Sequence, residues 1–249
     1  MAKERLDKVL SKLGCGSRKE VGAHIRAGKA AVNGQIVREP SFHVTPLVDK
    51  LAFGGKALPW RMGRYFMLNK PAGLVCARVD NLHPTVLSLF PEQERRGLIL
   101  IGRLDKDTEG LLLVTDDGGF CHALMSPSRH VEKVYRAMVS GRLDLNAPAR
   151  FRDGLPLADG TVCKPAALQI VGPSGEGLTE IQVTLREGKH HQVKRMVAAV
   201  GGHVERLKRI SIGPLPLDPA LTPGAFRALT EEEVEELRRA SGAGQTAVG

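Results

Sequence analysis

Leu98-Ile99-Leu100-Ile101-Gly102-Arg103-Leu104-Asp105-Lys106-Asp107-Thr108-Glu109-Gly110-Leu111-Leu112-Leu113-Val114-Thr115 sets a charged loop between two short apolar runs. Runs of this length, Leu98–Ile101 and Leu111–Thr115, have the character of buried strands. Strand ends bordering a charged loop are where rigid scaffolds place reactive groups. Asp105 lies between Arg103 and Lys106. A carboxylate with cations nearby stays ionised, which suits a nucleophile or base rather than an acid. An Asp that closes a hairpin turn through its side chain is the alternative, and chemistry alone leaves the two open.

Outward from this loop, strand patterns alternate with helical ones up to about Leu229: Tyr65–Leu68, Val134–Val139 and Leu178–Leu185 read as strands. That mixture predicts an α+β domain on a mixed, largely antiparallel central sheet flanked by helices. Val193, Met196, Val197 and Val200 recur at helical spacing, so a helix begins near His190 or His191, with Lys189, Lys194 and Arg195 at that end. Helix amino termini bind anions; a solvated basic face is the plain alternative. Tyr65–Gly73 is a strand running into a Lys70-Pro71 turn, and a surface turn explains it equally well. Asp116-Asp117-Gly118-Gly119 reads as a turn after a strand. Thr230-Glu231-Glu232-Glu233 is a capping box opening a short helix through Leu237. The last residues, Ala240–Gly249, are small and polar and expected to fray.

The amino-terminal stretch has its own grammar. Leu6, Val9, Leu10 and Leu13 define a helix stopped by Gly14 and Gly16. Ser17-Arg18-Lys19-Glu20 is a capping box for a second helix, through Val21 and Ile25 to Gly28. Ala31–Val37 is a hairpin pattern around Asn33-Gly34, and Leu51-Ala52-Phe53 is a further strand meeting Gly54-Gly55. These readings divide the chain into a module at 1–58, a linker at 59–63, a larger domain at 64–240 and a tail at 241–249.

Thirty-six Lys+Arg against 27 Asp+Glu give a formal charge of +9 over 249 residues. Residues 1–58 hold 11 Lys+Arg and 5 Asp+Glu, so +6 of the +9 lies there. That balance suits a polyanionic partner, nucleic acid above all. With 42% hydrophobic residues a real core is expected, which excludes disorder as the main state. No apolar run approaches the ~18 residues that span a bilayer, and Met1–Lys8 carries no signal-peptide core, so cytoplasmic residence is expected. Cys15, Cys76, Cys121 and Cys163 are widely spaced, giving neither a zinc knuckle nor a disulfide framework. Nothing marks a dimer face, so a monomer is the default.

The order of elements over residues 3–58, with Arg5-Leu6-Asp7-Lys8, Ser17-Arg18 and Val32-Asn33-Gly34, resembles the S4 domain, a small RNA-binding module. Its candidate RNA-contacting residues are Arg5, Lys8, Arg18, Lys19, Arg26 and Lys29. Gly102–Leu112, Ser126-Pro127 with Glu132-Lys133-Val134-Tyr135, and Glu187–Met196 follow in the order of the motifs of pseudouridine synthases of the S4-containing ribosomal branch. This resemblance covers Arg5 to about Val234. It implies a cofactor-free, metal-free isomerisation of uridine in ribosomal RNA, most similar to the 16S rRNA enzymes, at a uridine-516-type site, with 16S rRNA or a small-subunit assembly intermediate as partner. Asp105 takes the place of the essential aspartate, as nucleophile or as base, a choice the resemblance leaves open. Tyr135 matches the tyrosine that packs on the target base and is expected to assist the final removal of the C5 proton. Lys194 sits where many relatives carry an arginine that pairs with the aspartate, and a lysine lacks the guanidinium fork. Arg103, Lys189 and Arg195 are phosphate or site-shaping groups.

Three other readings compete. A 23S rRNA enzyme of the same branch shares the catalytic motif. A non-catalytic ribosome-assembly protein would bind through the S4-like module alone. A Mg²⁺-dependent nuclease would gather Asp105, Asp107, Asp116 and Asp117 around metal. Adjacent His190 and His191, expected to point in different directions on a helix, and Cys121-His122 are better explained as packed side chains than as a zinc site.

Overall fold

A capping box and an Asn-Gly turn organise the amino-terminal part of the chain, as the sequence predicts. The computed structural model describes residues 3–46, 48–58, 63–126, 128–175 and 177–242, and the chain falls into two units, one up to Gly63 and one from Arg64. The expected linker lies outside the described residues except for Gly63, as do Pro127 and the end of the tail.

The first unit runs β1 (Glu4–Arg5), α1 (Leu6–Lys12), α2 (Arg18–Arg26), β2 (Ala30–Val32), β3 (Gln35–Val37), β4 (His43–Val44), β5 (Leu51–Phe53) and β6 (Lys56–Leu58). Ser17 Oγ accepts the Glu20 N–H at 3.3 Å and the Glu20 carboxylate accepts the Ser17 N–H at 2.8 Å, satisfying two otherwise orphaned donors of α2. Strands β3-β2-β5-β6 form one sheet, and β1 pairs with β4. Leu6, Val9, Leu10, Val21, Ile25, Val32 and Leu51 close the core between helices and sheet. Strands β1, β4 and β6 were not anticipated, because two or three residues are too few to show a period.

The second unit runs β7 (Tyr65–Lys70), α3 (Glu92–Arg95), β8 (Ile99–Ile101), β9 (Glu109–Thr115), α4 (Gly118–Met125), β10 (Lys133–Gly141), α5 (Ala147–Asp153), β11 (Ala167–Pro173), β12 (Thr179–Leu185), α6 (Gln192–Ala198), β13 (Gly202–Ile212), β14 (Leu215–Pro216), β15 (Phe226–Ala228) and α7 (Glu231–Ala240). The sheet order is β11-β12-β10-β13-β9-β7-β15, with β8 added on β9 and β14 on β13. Its pairings among the described residues are antiparallel except one: β13 runs parallel to β9. This is the α+β, largely antiparallel arrangement expected. Strand β9 is buried on both faces, Leu112 and Val114 in one core and Leu111 and Leu113 in the other, which is why it reads as an unbroken apolar run. Asp117 is not a turn residue but the N-cap of α4, accepting the N–H groups of Gly119 and Phe120 at 2.9 and 3.1 Å.

One lateral row of this sheet matters most. Val183 on β12 faces Tyr135 on β10, Tyr135 faces Arg209 on β13, Arg209 faces Gly110 on β9, and Gly110 faces Lys70 on β7. At Gly110 the backbone has φ +99°, and a Cβ there would lie 2.2 Å from the Arg209 carbonyl oxygen and 2.9 Å from its nitrogen. Only glycine lets β9 and β13 approach to parallel pairing distance at this point. Gly110→Ala is therefore expected to cost about 3 kcal/mol or more, or to prevent folding. Gly224→Ala, equally left-handed at φ +87° with open space around its Cβ, should cost about 1–2 kcal/mol. Urea denaturation of the two variants beside the parent measures the difference.

Candidate active site

The turn that carries Asp105 is held from beneath by a buried ammonium. Lys70, at the end of β7, is 0% exposed, and its Nζ donates to the carbonyls of Pro71 (3.0 Å), Lys106 (3.2 Å) and Thr108 (2.7 Å). Burial pulls its pKa below the ordinary lysine value, while Cys76, Asp107, Glu109 and Asp105 oppose that shift. The Lys106 carbonyl also accepts the Gly73 N–H at 2.7 Å, and the Leu104 N–H points to the Cys76 sulfur at 3.3 Å. The Lys70-Pro71 stretch, which looked like a surface turn, is thus the floor of the loop. Burial lifts the Cys76 thiol above its usual pKa, so it packs as a neutral group.

Backbone atoms close the turn: the Thr108 N–H donates to the Asp105 carbonyl at 3.1 Å. The Asp105 side chain takes no part in that closure. Its carboxylate is 30% exposed, with Oδ1 3.6 Å from His191 Nε2. It lines a cleft of about 80 Å³ together with Arg103, Thr108, Tyr135, Lys189, His191 and Leu207. Tyr135, on β10, is 8% exposed. Asp105 and Tyr135 thus share one cleft, and exposed Arg103 stands at its edge.

The third stretch arrives through α6, which begins at Gln192, slightly later than expected. His191 is its N-cap in the left-handed region, φ 49° and ψ 34°. That turn stacks the imidazoles of His190 and His191 with centroids 3.8 Å apart, rather than sending them in different directions. Gln192 is buried and braces the approach: its Oε1 accepts the Lys189 N–H at 2.8 Å and its Nε2 donates to Glu187 at 2.6 Å.

The expected pairing of Lys194 is corrected here. Its ammonium donates to both oxygens of Asp107, each at 2.6 Å, not to Asp105. The turn that points Asp105 into the cleft offers Asp107 to α6, and a compact ammonium takes the carboxylate presented to it. Lys194 holds the Asp107 carboxyl below the usual carboxylate range, chiefly through this hydrogen bond. Two other expected phosphate groups are engaged as well. Arg195 pairs with Asp159 at 2.5 Å, and Lys189 Nζ donates to the Val162 carbonyl at 2.5 Å.

In the amino-terminal unit, Arg5 and Arg18 converge on the buried carboxylate of Asp7 at 3.0 and 2.9 Å, and Lys8 pairs with Glu4 at 3.2 Å. Lys19, Arg26 and Lys29 are exposed on or beside α2. The four acids of the nuclease reading do not converge. Asp116 is bound to Arg64 at 2.7 Å and Asp117 caps α4, both beyond the opposite end of β9 from Asp105. Among the described residues no group of three or more His, Cys, Asp or Glu is placed to hold a metal ion, and no helix is long and apolar enough to cross a membrane.

Sequence reading missed Lys70 as a site residue, and with it Thr108, Gln192 and Arg209. Arg209 is the most telling. It lies on β13, 2% exposed, donates through Nε to the Leu111 carbonyl at 2.7 Å and reaches the Tyr135 hydroxyl at 3.5 Å. No local signal could have found it, because its burial follows from the lateral pairing of three strands distant in sequence.

Comparison with known proteins finds relatives over nearly the whole chain. A family model described as RNA pseudouridylate synthase covers residues 64–199, and an S4 domain model covers residues 4–46. Ribosomal small subunit pseudouridine synthase A of Escherichia coli (strain K12) is 43% identical over 232 residues, 92% of this chain and 98% of that protein. A Bacillus subtilis (strain 168) protein named uncharacterized RNA pseudouridine synthase YtzG is 42% identical over 234 residues, 94% of this chain and 98% of its own. A solved structure, described as a crystal structure of pseudouridylate synthase, superposes with a TM-score of 0.66 at 37% identity, covering 94% of this chain and 99% of that one.

Two expectations follow from the loop's supports. Lys70→Met removes the ammonium from three carbonyls, of which that of Lys106 keeps the Gly73 N–H, so amide exchange at Gly73 and Thr108 should accelerate by about tenfold or more; unchanged protection would show that the ammonium is not what holds the loop. The depressed Asp107 pKa means that its pairing stabilises the fold above the ordinary value of 3.8 and is lost as pH falls through the folded value. In Lys194→Met the Asp107 carboxyl should titrate higher than in the parent, as read by carboxyl-carbon NMR.

Proposed function

Since the chain belongs to the RNA pseudouridylate synthase family and carries an S4 domain ahead of the synthase domain, we propose that it isomerises uridine to pseudouridine in 16S rRNA, at a uridine-516-type site, with Asp105 as the reacting carboxylate. The observation that carries this reading is the shared cleft: Asp105 on a turn fixed from below, and Tyr135 beside it. Relatives alike over nearly the full length of both chains bear the name ribosomal small subunit pseudouridine synthase A, which supports 16S rRNA over 23S rRNA.

The chemistry is an isomerisation, so product and substrate have the same composition and each proton lost must be replaced. The C1′–N1 bond breaks and its electron pair goes to the uracil ring. An Asp105 oxygen either bonds to C1′ or removes the C2′ proton, which it later gives back. The detached ring turns in the cleft, C5 joins C1′ with its electron pair as any Asp105–C1′ bond breaks and frees the carboxylate, the C5 proton departs to solvent and N1 gains one from it. Tyr135 supplies the flat apolar surface on which the base rests through this turn. Arg103, exposed at the cleft's edge, is suited to a flanking phosphate. Lys194 acts at one remove, neutralising Asp107 so that a second negative charge does not face the substrate backbone.

Unstacking the target uridine costs a few kcal/mol. Phosphate contacts made by the S4 domain would help offset that cost. Lys19, Arg26 and Lys29 present exposed charge there, while Asp7 holds Arg5 and Arg18 in fixed directions.

The test is incubation of the purified protein with 16S and with 23S rRNA transcripts and with small-subunit assembly intermediates, followed by carbodiimide mapping of pseudouridine. One new stop in 16S rRNA is expected, and Asp105→Asn should lower its rate of appearance by ~10³-fold or more with RNA affinity kept. A stop in 23S rRNA alone overturns the substrate. An active Asp105→Asn overturns the assignment of Asp105. RNA binding without any modification by the parent protein would favour an assembly factor.

A further inference from the structure

Arg209 is the largest side chain fully withdrawn from solvent, and its charge has no carboxylate partner among the described residues. Its Nε is used on the Leu111 carbonyl. Its Nη2, also buried, has no hydrogen-bond partner among the described residues. Burying a cation without a counter-charge is unfavourable, and an apolar side chain of similar volume would fill the space without that penalty. A buried donor left unpaired in a native fold calls for a reason beyond packing.

The reason lies in what Arg209 touches. Its guanidinium carbon is 6.0 Å from the centroid of the Tyr135 ring, and Nη1 is 3.5 Å from the Tyr135 hydroxyl oxygen. Arginine has donors only, so the phenol oxygen must accept on that side, and the hydroxyl's own hydrogen is turned away from Arg209. A cation near the ring also favours one placement of the phenol over others. Arg209 itself is fixed by the lateral row, since its backbone pairs with Tyr135 on one side and with Gly110 on the other.

We propose that Arg209 is a positioning residue for Tyr135: the buried guanidinium sets the plane of the phenol and the direction of its hydroxyl, so that the target base meets the ring in a single orientation through the break and rejoining of its bond to ribose. The inference rests on the functional reading above and adds to it a residue outside the three motif stretches. It also accounts for the buried, uncompensated charge, because positive potential behind the ring complements the negative charge that the uracil carries once N1 has left.

A double-mutant cycle tests it. Single-turnover release of tritium from a 16S rRNA transcript labelled with [5-³H]uridine reports the departure of the C5 hydrogen. Arg209→Met should slow release by about tenfold or more, with the RNA dissociation constant within about twofold of the parent. Arg209→Lys should recover part of the loss, since it restores charge but not the fork. In a Tyr135→Phe background, Arg209→Met should add less than about twofold, because the hydroxyl it directs is already gone. If near-UV circular dichroism shows Arg209→Met to be misfolded, the same cycle is run with Arg209→Lys. Equal losses in both backgrounds, or an undiminished rate in Arg209→Met, overturn the proposal. A parent protein that releases no tritium overturns the functional reading itself.

Discussion

The close approach of β9 and β13 at Gly110 is the constraint on which the synthase unit turns. It is the single parallel pairing described in an otherwise antiparallel sheet, and it exists because one residue has no side chain. Through it, elements far apart in the chain line up in one row: Tyr135, Arg209, Gly110 and Lys70. Two of these are buried cations on either side of the glycine. One reaches the carbonyls of the Asp105 turn and the other reaches the phenol that faces the same cleft. The row thus fixes both walls of the site from below, and neither wall depends on a long flexible loop.

Much of this architecture was written locally. The Ser17–Glu20 and Thr230–Glu233 capping boxes, the Asn33-Gly34 hairpin and the strands around the Asp105 loop each follow from a short pattern with a direct physical cause. In each case the residues that decide the structure touch one another within a few positions. The turn reading of Asp116-Asp117 failed by a small margin, because the same side-chain acceptors that close a turn also cap a helix.

What stayed hidden has a common cause. Strand β13 is eleven residues long, yet Glu205, Arg206, Lys208 and Arg209 interrupt any apolar alternation, so it shows no period of two. Its place in the centre of the sheet is a property of its neighbours β10 and β9. Lys70 is similar: Asn-Lys-Pro is ordinary turn chemistry until the Asp105 loop folds over it and supplies two of the three carbonyls that hold its ammonium. A buried cation is legible only when its acceptors are known, and here those two lie more than thirty residues away. The motif stretches pointed to Asp105 and Tyr135, and the supports beneath them come from the tertiary pairing.

The partition of charge around the turn shows what a lysine does where a forked guanidinium is expected. A bidentate arginine on Asp105 would occupy both carboxylate oxygens in the resting protein. Here the helix ammonium is drawn onto Asp107, 71% exposed and two residues along, while Asp105 keeps only a looser contact with His191 at 3.6 Å. Asp105 is left accessible in the cleft, and the Asp107 carboxylate is neutralised. Both effects come from the same turn, whose backbone points Asp105 inward and Asp107 toward α6. The turn keeps that shape because Lys70 is locked underneath it. Charge placement at the cleft is therefore a consequence of packing at the sheet, set by the same lateral row that places Lys70 and Arg209.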